Sequence, residues 1–305
     1  MSDAESTVIF QHTSVLVAPV VELLLHKPGG LYVDATFGGG GHTKALLAAD
    51  PTCRVIACDW DKDALAINVS MVQEQFPGRL DTVWGNFSHL SYLLKDKGIG
   101  PVDGILADFG TSQYQIAHKA GFSFREDREL DMRMSTSHGE LTAYELVNFT
   151  SERELADIIY RYGEDHASRK IAREICLARK HKRITSTVQL AALIERIIPR
   201  RGKGIHPATK TFQALRIVVN RELENIETLL KTAASLLFPG GRLACISFHS
   251  LEDRLVKTYI REHPAEWKAI TKKVVVADAA ELSRNPSSRS AKLRVAEKVD
   301  SAKVS

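Results

Sequence analysis

Residues 31–43 read LYVDATFGGGGHT, an apolar run that ends in an acid and is followed by four consecutive glycines before a histidine. The apolar run predicts a buried strand, and the glycines predict a turn from this strand into a helix. Glycine tolerates positive φ and lets backbone N–H groups approach a ligand without a Cβ in the way. The stretch therefore predicts a nucleotide-binding loop, although alone it also fits a flexible turn or a dinucleotide site.

Three more apolar runs follow in the first third of the chain, and each ends in Asp, Asn or Gly. They are CRVIACD near 53, DTVWGN near 81 and VDGILADFG near 102. Helical stretches separate the runs, and this alternation is typical of an α/β fold with a parallel, Rossmann-like sheet. Such sheets bind ligands at the carboxyl ends of their strands, where these acids and glycines would lie.

The pattern changes to amphipathic helices, without a convincing strand, between about 116 and 213. Strand and helix alternation returns with FQALRIVVNRELENIETLLKTAASLL, the turn FPGG and the apolar run RLACISF. We therefore predict an α/β domain in two parts, 1–115 and 214–298, with an all-helical insertion at 116–213. LRVAE at 293–297 fits an edge strand, and 299–305 are predicted to be disordered.

Four side chains at the predicted strand ends indicate the ligand. Asp59 stands where an acid accepts hydrogen bonds from ribose hydroxyls. Asp34 favours S-adenosylmethionine over a dinucleotide, because an acid there faces a positively charged methionine portion but repels a pyrophosphate. Phe87 suits an adenine ring, and Asp108 would lie beside the reactive sulfonium. Phe87 could also be an ordinary core residue, and Asp108 could cap the next helix. The occurrence of all four side chains in this order nevertheless favours the cofactor site.

Positive charge is concentrated in one part of the chain. The whole sequence has 41 Lys and Arg against 37 Asp and Glu. The segment 179–216 alone carries ten Lys and Arg against the single acid Glu195. A solvated helix face normally mixes signs, so this segment favours a polyanion such as nucleic acid, with an ordinary basic surface as the alternative.

The cysteines and the N-terminus exclude several classes of protein. Four cysteines (Cys53, Cys58, Cys176 and Cys245) are scattered without the pairing of a zinc site, and no histidine cluster completes them. We expect buried, reduced thiols and no metal. The N-terminus lacks a basic region followed by an apolar stretch, and no run is long enough to cross a bilayer. We therefore expect a cytoplasmic protein without membrane association.

Longer blocks of sequence occur in a fixed order from His12 almost to the C-terminus. They are ATFGGGGHT at 35–43, GFSF at 121–124, LDMRM at 130–134, YGE at 162–164, HPATKTFQALRIVVNRELE at 206–224, PGGRL at 239–243, SFHSLEDR at 247–254 and RNPSSRSAKLRVAE at 284–297. In these blocks the chain resembles the bacterial 16S ribosomal RNA cytosine-N4 methyltransferases. That family has a Rossmann-like class I S-adenosylmethionine-dependent fold with an inserted helical domain.

The resemblance implies both a reaction and its partners. The reaction is methylation of the exocyclic N4 amine of cytosine 1402 in the decoding region of 16S rRNA, within the small ribosomal subunit. An amino-methyltransferase that acts on another RNA or on DNA is the alternative. The usual Pro-Pro-aromatic motif of DNA amino-methyltransferases is replaced here by Gly110-Thr111-Ser112. A homodimer is an open alternative to a monomer.

The resemblance also assigns residues to the site. The cofactor contacts are Gly40, Gly41, His42, Asp59, Phe87, Asp108 and Gln115. Arg133, His249 and Arg254 are candidate substrate contacts. Asp108 is the catalytic candidate, because an acceptor facing the cytosine amine would localise its lone pair and could take its proton. The alternative is that Asp108 only holds the cofactor.

Three departures from the family pattern concern local loops. DFGTSQYQIA at 108–117 stands where DLGVSSPQLD is usual, which keeps Gln115 but changes the Ser-Ser-Pro turn. Arg128 and Glu129 replace a Gly-Pro pair before LDMRM, and Ser135 stands where an acid is common. These changes affect the expected loop conformations rather than the expected reaction.

Overall fold

The computed structural model describes residues 13–111, 119–137, 139–199 and 204–300. Its helices are α1 Val17–Leu24, α2 Gly41–Ala49, α3 Lys62–Gln75, α4 Leu90–Asp96, α5 Ala143–Phe149, α6 Glu152–Gly163, α7 Ser168–His181, α8 Thr187–Ile197, α9 Thr209–Asn220, α10 Glu222–Leu236, α11 Ser250–Glu262 and α12 Ala279–Arg284. Its strands are β1 Leu31–Asp34, β2 Arg54–Asp59, β3 Leu80–Trp84, β4 Val102–Asp108, β5 Leu237–Ser247, β6 Trp267–Ala269, β7 Val275–Val276 and β8 Lys292–Lys298.

The chain divides into two compact units. The first, the α/β unit, comprises Met1–Tyr114 with Leu229–Ser305, and the second, the helical unit, comprises Gln115–Thr228. The sequence placed the return to the α/β unit after residue 213, which is too early. Ala214, Leu215 and Val219 of α9 are buried in the core of the helical unit. Their apolar spacing was mistaken for the return of strand and helix alternation.

The α/β unit is built on one mixed sheet with the strand order β3-β2-β1-β4-β5-β8-β6. β1 to β5 are parallel, and β8 is antiparallel to β5. Asp34, Asp59 and Asp108 are the last residues of β1, β2 and β4. Because these strands are adjacent and parallel, the three carboxylates lie at the same edge of the sheet, next to the point where the strand order reverses. The predicted α/β fold class is confirmed.

Two expectations about the second half of the sheet are wrong. LRVAE is not an edge strand, because β8 pairs with β5 on one side and with both β6 and β7 on the other. Those two strands span only three and two residues, too few for periodicity to reveal them. FPGG is not a turn that precedes β5. It lies within β5, where the pairing with β4 shifts register after Val102 and Gly240 has a φ of 80°.

The helical unit has its own apolar core, formed by buried faces of α5 to α9. Side-chain caps start several of its helices. Thr142 and Glu145 form a reciprocal capping box at α5, and Ser151 and Ser186 cap α6 and α8. Each cap satisfies backbone N–H groups that have no partner within their own helix. Local sequence signals thus define the starts of these helices.

Three further expectations concern the cysteines, the C-terminal residues and membrane-spanning helices. The four cysteines are all buried and free, as expected. Disorder over 299–305 is wrong at Val299, whose N–H donates to the carbonyl of Glu266 at 2.8 Å, while 301–305 lie outside the described residues. Within the described part of the chain, every helix is too short or too polar to cross a membrane.

Candidate active site

The glycine loop connects β1 to α2 and leaves backbone N–H groups at the start of that helix. Gly38 and Gly40 have φ values of 51° and 73°, and Gly40 occupies the N-cap of α2 without a side-chain cap. A Cβ at Gly41 would overlap the hydroxyl of Ser14. The loop therefore requires glycine both for positive φ and for close packing, and it presents a helix N-terminus that suits a negatively charged group.

Asp34 is buried directly beneath this loop. Its carboxylate accepts a hydrogen bond from the Thr43 hydroxyl at 2.7 Å and a longer one from the Thr36 N–H at 3.3 Å. Burial raises the pKa of Asp34, while His42 and Thr43 act in the opposite direction. Both threonines belong to the glycine-loop block, so Asp34 stabilises the two ends of the loop.

Asp59, at the end of β2, joins that strand to the same loop. One carboxylate oxygen accepts the N–H of Gly38 at 2.8 Å and the other accepts the N–H of Asp61 at 2.8 Å. Burial raises the pKa of Asp59 to about 6, although these two hydrogen bonds oppose the shift. Each carboxylate oxygen can accept more than one hydrogen bond, so Asp59 keeps capacity for hydroxyl donors.

Asp108, at the end of β4, is the third carboxylate of this edge. Its N–H donates to the Thr36 hydroxyl at 2.7 Å, while Oδ1 is buried and has no hydrogen-bond partner among the described residues. Burial raises the pKa of Asp108 to about 7, His42 opposes that shift, and the charges of Asp34 and Glu252 add to it. A buried acceptor without a partner is costly, so this oxygen is suited to a donor supplied by a ligand.

His42 faces Asp108 from the first turn of α2. Its Nε2 lies 2.8 Å from the carbonyl of Val15, and only a protonated nitrogen can donate to that carbonyl. In the neutral ring, Nδ1 therefore presents a lone pair toward Asp108 Oδ2, which lies 3.9 Å away. Two acceptors at this separation are favourable only with a proton or a donor between them.

Phe87 follows β3 in a short 3-10 helix that Asn86 caps through its side chain. Its ring is half-buried and lies 5.8 Å from the ring of Phe109. Phe87 is therefore compatible with both interpretations of the sequence, as a core residue and as an adenine contact. One part of its ring packs in the core, and another part is exposed and could contact a ligand. Its role as an adenine contact stays a prediction.

The SFHSLEDR block follows β5 and reaches the same edge of the sheet. Asp108 pairs with Ile246 across β4 and β5, so the residues after Ser247 begin next to Asp108. His249 is the N-cap of α11, and Glu252 accepts the N–H of Phe248 at 2.7 Å. Arg254 is exposed on α11. His249 therefore has a capping role, and contact of His249 and Arg254 with substrate stays a prediction.

The remaining site predictions lie elsewhere. Arg133 belongs to the helical unit, where its guanidinium makes two 2.8 Å contacts with Asp131 and donates to the carbonyl of Gly139 at 3.2 Å. Its predicted contact with substrate stays untested. Gln115 lies outside the described residues.

Three supporting residues of the site were not predicted from the sequence. Thr36 and Thr43 flank the four glycines and bind Asp108 and Asp34, and Glu252 is fully buried where it completes the cap of α11. The threonines were visible in the loop motif, but threonine alone does not indicate which distant acid it contacts. An i, i+3 spacing of His249 and Glu252 was the signal for the capping box.

The sequence matches a known protein family over nearly its whole length. The model of the MraW methylase family matches residues 9–299. A protein named ribosomal RNA small subunit methyltransferase H from Cyanothece sp. is 47% identical over 292 residues, which are 95% of this chain and 96% of that protein. The protein of the same name from Desulfotalea psychrophila is 47% identical over 292 residues, which are 94% and 98% of the two chains. With a glycine loop and three strand-end carboxylates at one sheet edge, and with similarity over nearly its whole length, this chain belongs to the MraW methylase family.

Proposed function

We propose that this protein transfers a methyl group from S-adenosylmethionine to the N4 amine of cytosine 1402 in the decoding region of 16S rRNA. The observation that carries the proposal is the buried Oδ1 of Asp108 beside the glycine loop, which has no hydrogen-bond partner among the residues that the structure describes. Relatives named ribosomal RNA small subunit methyltransferase H support ribosomal RNA as the acceptor.

The residues at this edge fit the methyl donor. The N–H groups at Gly40 and Gly41 suit its carboxylate, and Asp59 suits its ribose hydroxyls. Asp34 and Asp108 would face the positive charge of the donor, which would favour their ionised forms. When bound, S-adenosylmethionine supplies an electrophilic methyl carbon on a sulfonium.

Asp108 then has a defined task toward the acceptor. The lone pair of a cytosine amine is delocalised into the ring, so an acceptor for one of its N–H groups localises that lone pair on nitrogen. A carboxyl group whose pKa is raised to about 7 by burial can also take up the proton that the amine must lose near neutral pH. The Thr36 hydroxyl accepts the N–H of Asp108 at 2.7 Å, and this hydrogen bond fixes the backbone at Asp108. Most of the remaining rate enhancement comes from alignment of the two reactants.

The target base has to leave its stack to reach this edge, which requires a pocket that accepts an unpaired base. Phe124 is half-buried, and one part of its ring packs in the helical unit. The ring lies 5.0 Å from Phe212 and 4.5 Å from His206, packed against the core of the helical unit. Arg133, His249 and Arg254 remain the proposed substrate contacts, and Phe122 is half-buried.

The natural substrate is proposed to be a small ribosomal subunit, since the decoding region forms late in its assembly. A ribosomal substrate also supports a cytoplasmic location. A homodimer stays a separate prediction, and sedimentation equilibrium of the purified protein would test it.

The proposal is tested by transfer of a tritiated methyl group to three acceptors in parallel: small subunits, naked 16S rRNA and DNA. Subunits from cells that lack the gene should accept one methyl group at cytosine 1402. Subunits from cells that carry the gene are the control and should accept none. Label in DNA, or at any other nucleotide of the RNA, would contradict the proposal.

A further inference from the structure

Phe149 places an exposed aromatic ring on the surface of the helical unit. It is the last residue of α5, and 61% of it is exposed, whereas Leu146 and Val147 of the same helix are buried. A single exposed aromatic side chain is common on protein surfaces, so its significance depends on the groups that lie around it. Its surroundings therefore indicate what it binds.

The backbone around Phe149 is held firmly. The buried side chain of Asn148 donates to the carbonyl of Ile184 at 2.8 Å and accepts the N–H of Ile184 at 3.0 Å. This pair joins the end of α5 to the segment after α7. Arg183 donates to the carbonyl of Asn148 at 2.8 Å, and its guanidinium carbon lies 4.7 Å from the centre of the Phe149 ring. The ring and the guanidinium thus have a preformed arrangement.

The segment that contacts this ring is basic. The twenty residues from 175 to 194 contain Arg179, Lys180, Lys182 and Arg183 and no acid. Arg179 donates to the carbonyls of Val147 and Thr150 at 2.7 and 2.6 Å, which satisfies the C-terminal end of α5. Lys180 and Lys182 are exposed. Arg179 and Arg183 contact the end of α5, and the exposed Lys180 and Lys182 are their immediate neighbours in the chain. We therefore expect this surface to suit a polyanion with flat, stackable groups.

We infer that Phe149 and Arg183 form a platform on which an unpaired base of the RNA substrate stacks, while Lys180 and Lys182 contact neighbouring phosphates. Proteins bind single-stranded RNA by stacking its bases on aromatic rings and guanidinium planes, with basic side chains along the backbone. The inference depends on the proposed function only in taking RNA as the partner. The base concerned is not the target cytosine, which binds at the sheet edge of the other unit.

Phe149→Leu tests the stacking contact in the full-length protein. Filter binding to naked 16S rRNA and to small subunits should show an affinity lower by roughly 5- to 100-fold. The salt dependence should stay the same, since no charge is removed. Phe149→Tyr keeps the ring and should bind within about twofold of the wild type. Tyr160→Leu removes another exposed aromatic side chain of the helical unit, from α6, and is the matched control with unchanged affinity.

The double variant Lys180→Gln/Lys182→Gln tests the phosphate contacts. The slope of log affinity against log salt should become shallower by about 1.4, because each phosphate contact to a single strand contributes about 0.7. S-adenosylmethionine affinity and thermal unfolding are measured for every variant, and both should match the wild type because all these side chains are on the surface of the helical unit.

Two outcomes would overturn the platform. Phe149→Leu could bind both substrates as tightly as the wild type, which would show that no base stacks there. It could instead lose affinity for assembled subunits alone, which would make the partner a ribosomal protein. If the wild type itself neither binds nor methylates ribosomal RNA, the proposed function fails as well, so the two failures are distinguishable.

Discussion

At the scale of one residue, the fold holds the carboxyl group of Asp108 in a site that disfavours its ionised form. The carboxyl pKa is about 7, compared with an ordinary value of 3.8, so ionisation costs the folded protein free energy. The stabilisation from the protonated form is complete below an ordinary carboxyl pKa and is lost as pH rises through about 7. The ligand-free protein should therefore be less stable at alkaline pH because of this one group.

Asp108→Asn removes that cost. At a pH near 8, we expect the free energy of unfolding of the ligand-free variant to exceed the wild-type value by up to about 4 kcal/mol, and the difference to vanish at a pH near 4. Urea unfolding at both pH values measures it. Asp81→Asn, on the exposed edge strand β3, is the control. An equal effect of the two substitutions would contradict the burial of charge at Asp108.

The same group should govern the pH profile of the reaction. If ionised Asp108 accepts from the amine, kcat/KM should rise with pH and reach half its maximum near pH 7. Asp108→Asn should lower turnover by about 10²- to 10⁴-fold, with much smaller effects on cofactor affinity. Normal turnover in this variant would remove Asp108 from the chemistry, and a loss confined to cofactor affinity would reduce it to a cofactor contact.

The substitution Gly41→Ala tests the close packing of the glycine loop. A Cβ at this position would overlap Ser14, so Gly41→Ala should destabilise the protein by about 1 to 3 kcal/mol and weaken S-adenosylmethionine binding. Gly100→Ala is the matched control, because nothing lies within 4 Å of the Cβ that it adds. Thermal unfolding and calorimetric titration distinguish them. Unchanged cofactor affinity in Gly41→Ala would show that the loop is more adaptable than its packing indicates.

At the scale of elements, β8 is stabilised by an ion pair to α11. Arg294 contacts Asp253 at 2.7 and 3.2 Å, and both side chains are largely buried. Arg54 and Asp81 form a similar 2.7 Å contact between β2 and β3, but both are more than half exposed. A buried carboxylate that loses its partner remains desolvated, whereas an exposed one is hydrated by water.

Arg294→Met should therefore lower the free energy of unfolding by about 3 kcal/mol. Arg54→Met should lower it by less than about 1 kcal/mol. Both arginines belong to strands, which makes them a matched pair, and urea unfolding at neutral pH compares them. Equal losses would mean that water reaches Asp253 as readily as it reaches Asp81.

At the scale of the whole molecule, the basic side chains of 179–216 fall into two groups, those that bind the protein itself and those left to bind a partner. Four of its ten basic side chains bind acceptors of the protein itself: Arg179, Arg183, Lys210 and Arg216. Lys180, Lys182 and Arg196 are exposed, and Arg200, Arg201 and Lys203 lie outside the described residues. The six that remain are the candidates for phosphate contacts.

With six phosphate contacts, log affinity for naked RNA should fall with log salt at a slope of about −4. Filter binding over a series of salt concentrations measures it. Affinity for S-adenosylmethionine, titrated in the same buffers, should change little because its site depends on buried groups. A flat salt dependence for RNA would show that the basic segment is an ordinary surface.

The local pattern of the sequence determined most strands of the parallel sheet, the glycine loop and the helical insertion. Apolar runs that end in Asp, Asn or Gly predicted β1 to β4. They therefore also predicted the alignment of Asp34, Asp59 and Asp108 at one edge, because adjacent parallel strands end on the same side. The glycine loop and the helical insertion were also evident, since glycine tolerance of positive φ and helical periodicity are properties of short segments.

Only the tertiary structure decided which segments meet. It placed β8 between strands on both sides, assigned α9 to the helical core and packed Phe124 against Phe212. It also left one oxygen of Asp108 without a hydrogen-bond partner in the described part of the chain. Arg133 contacts Asp131, which its sequence block alone did not indicate. The physical reason is that burial and pairing depend on contacts between residues far apart in the chain, whereas periodicity and motif spacing describe only neighbours along it.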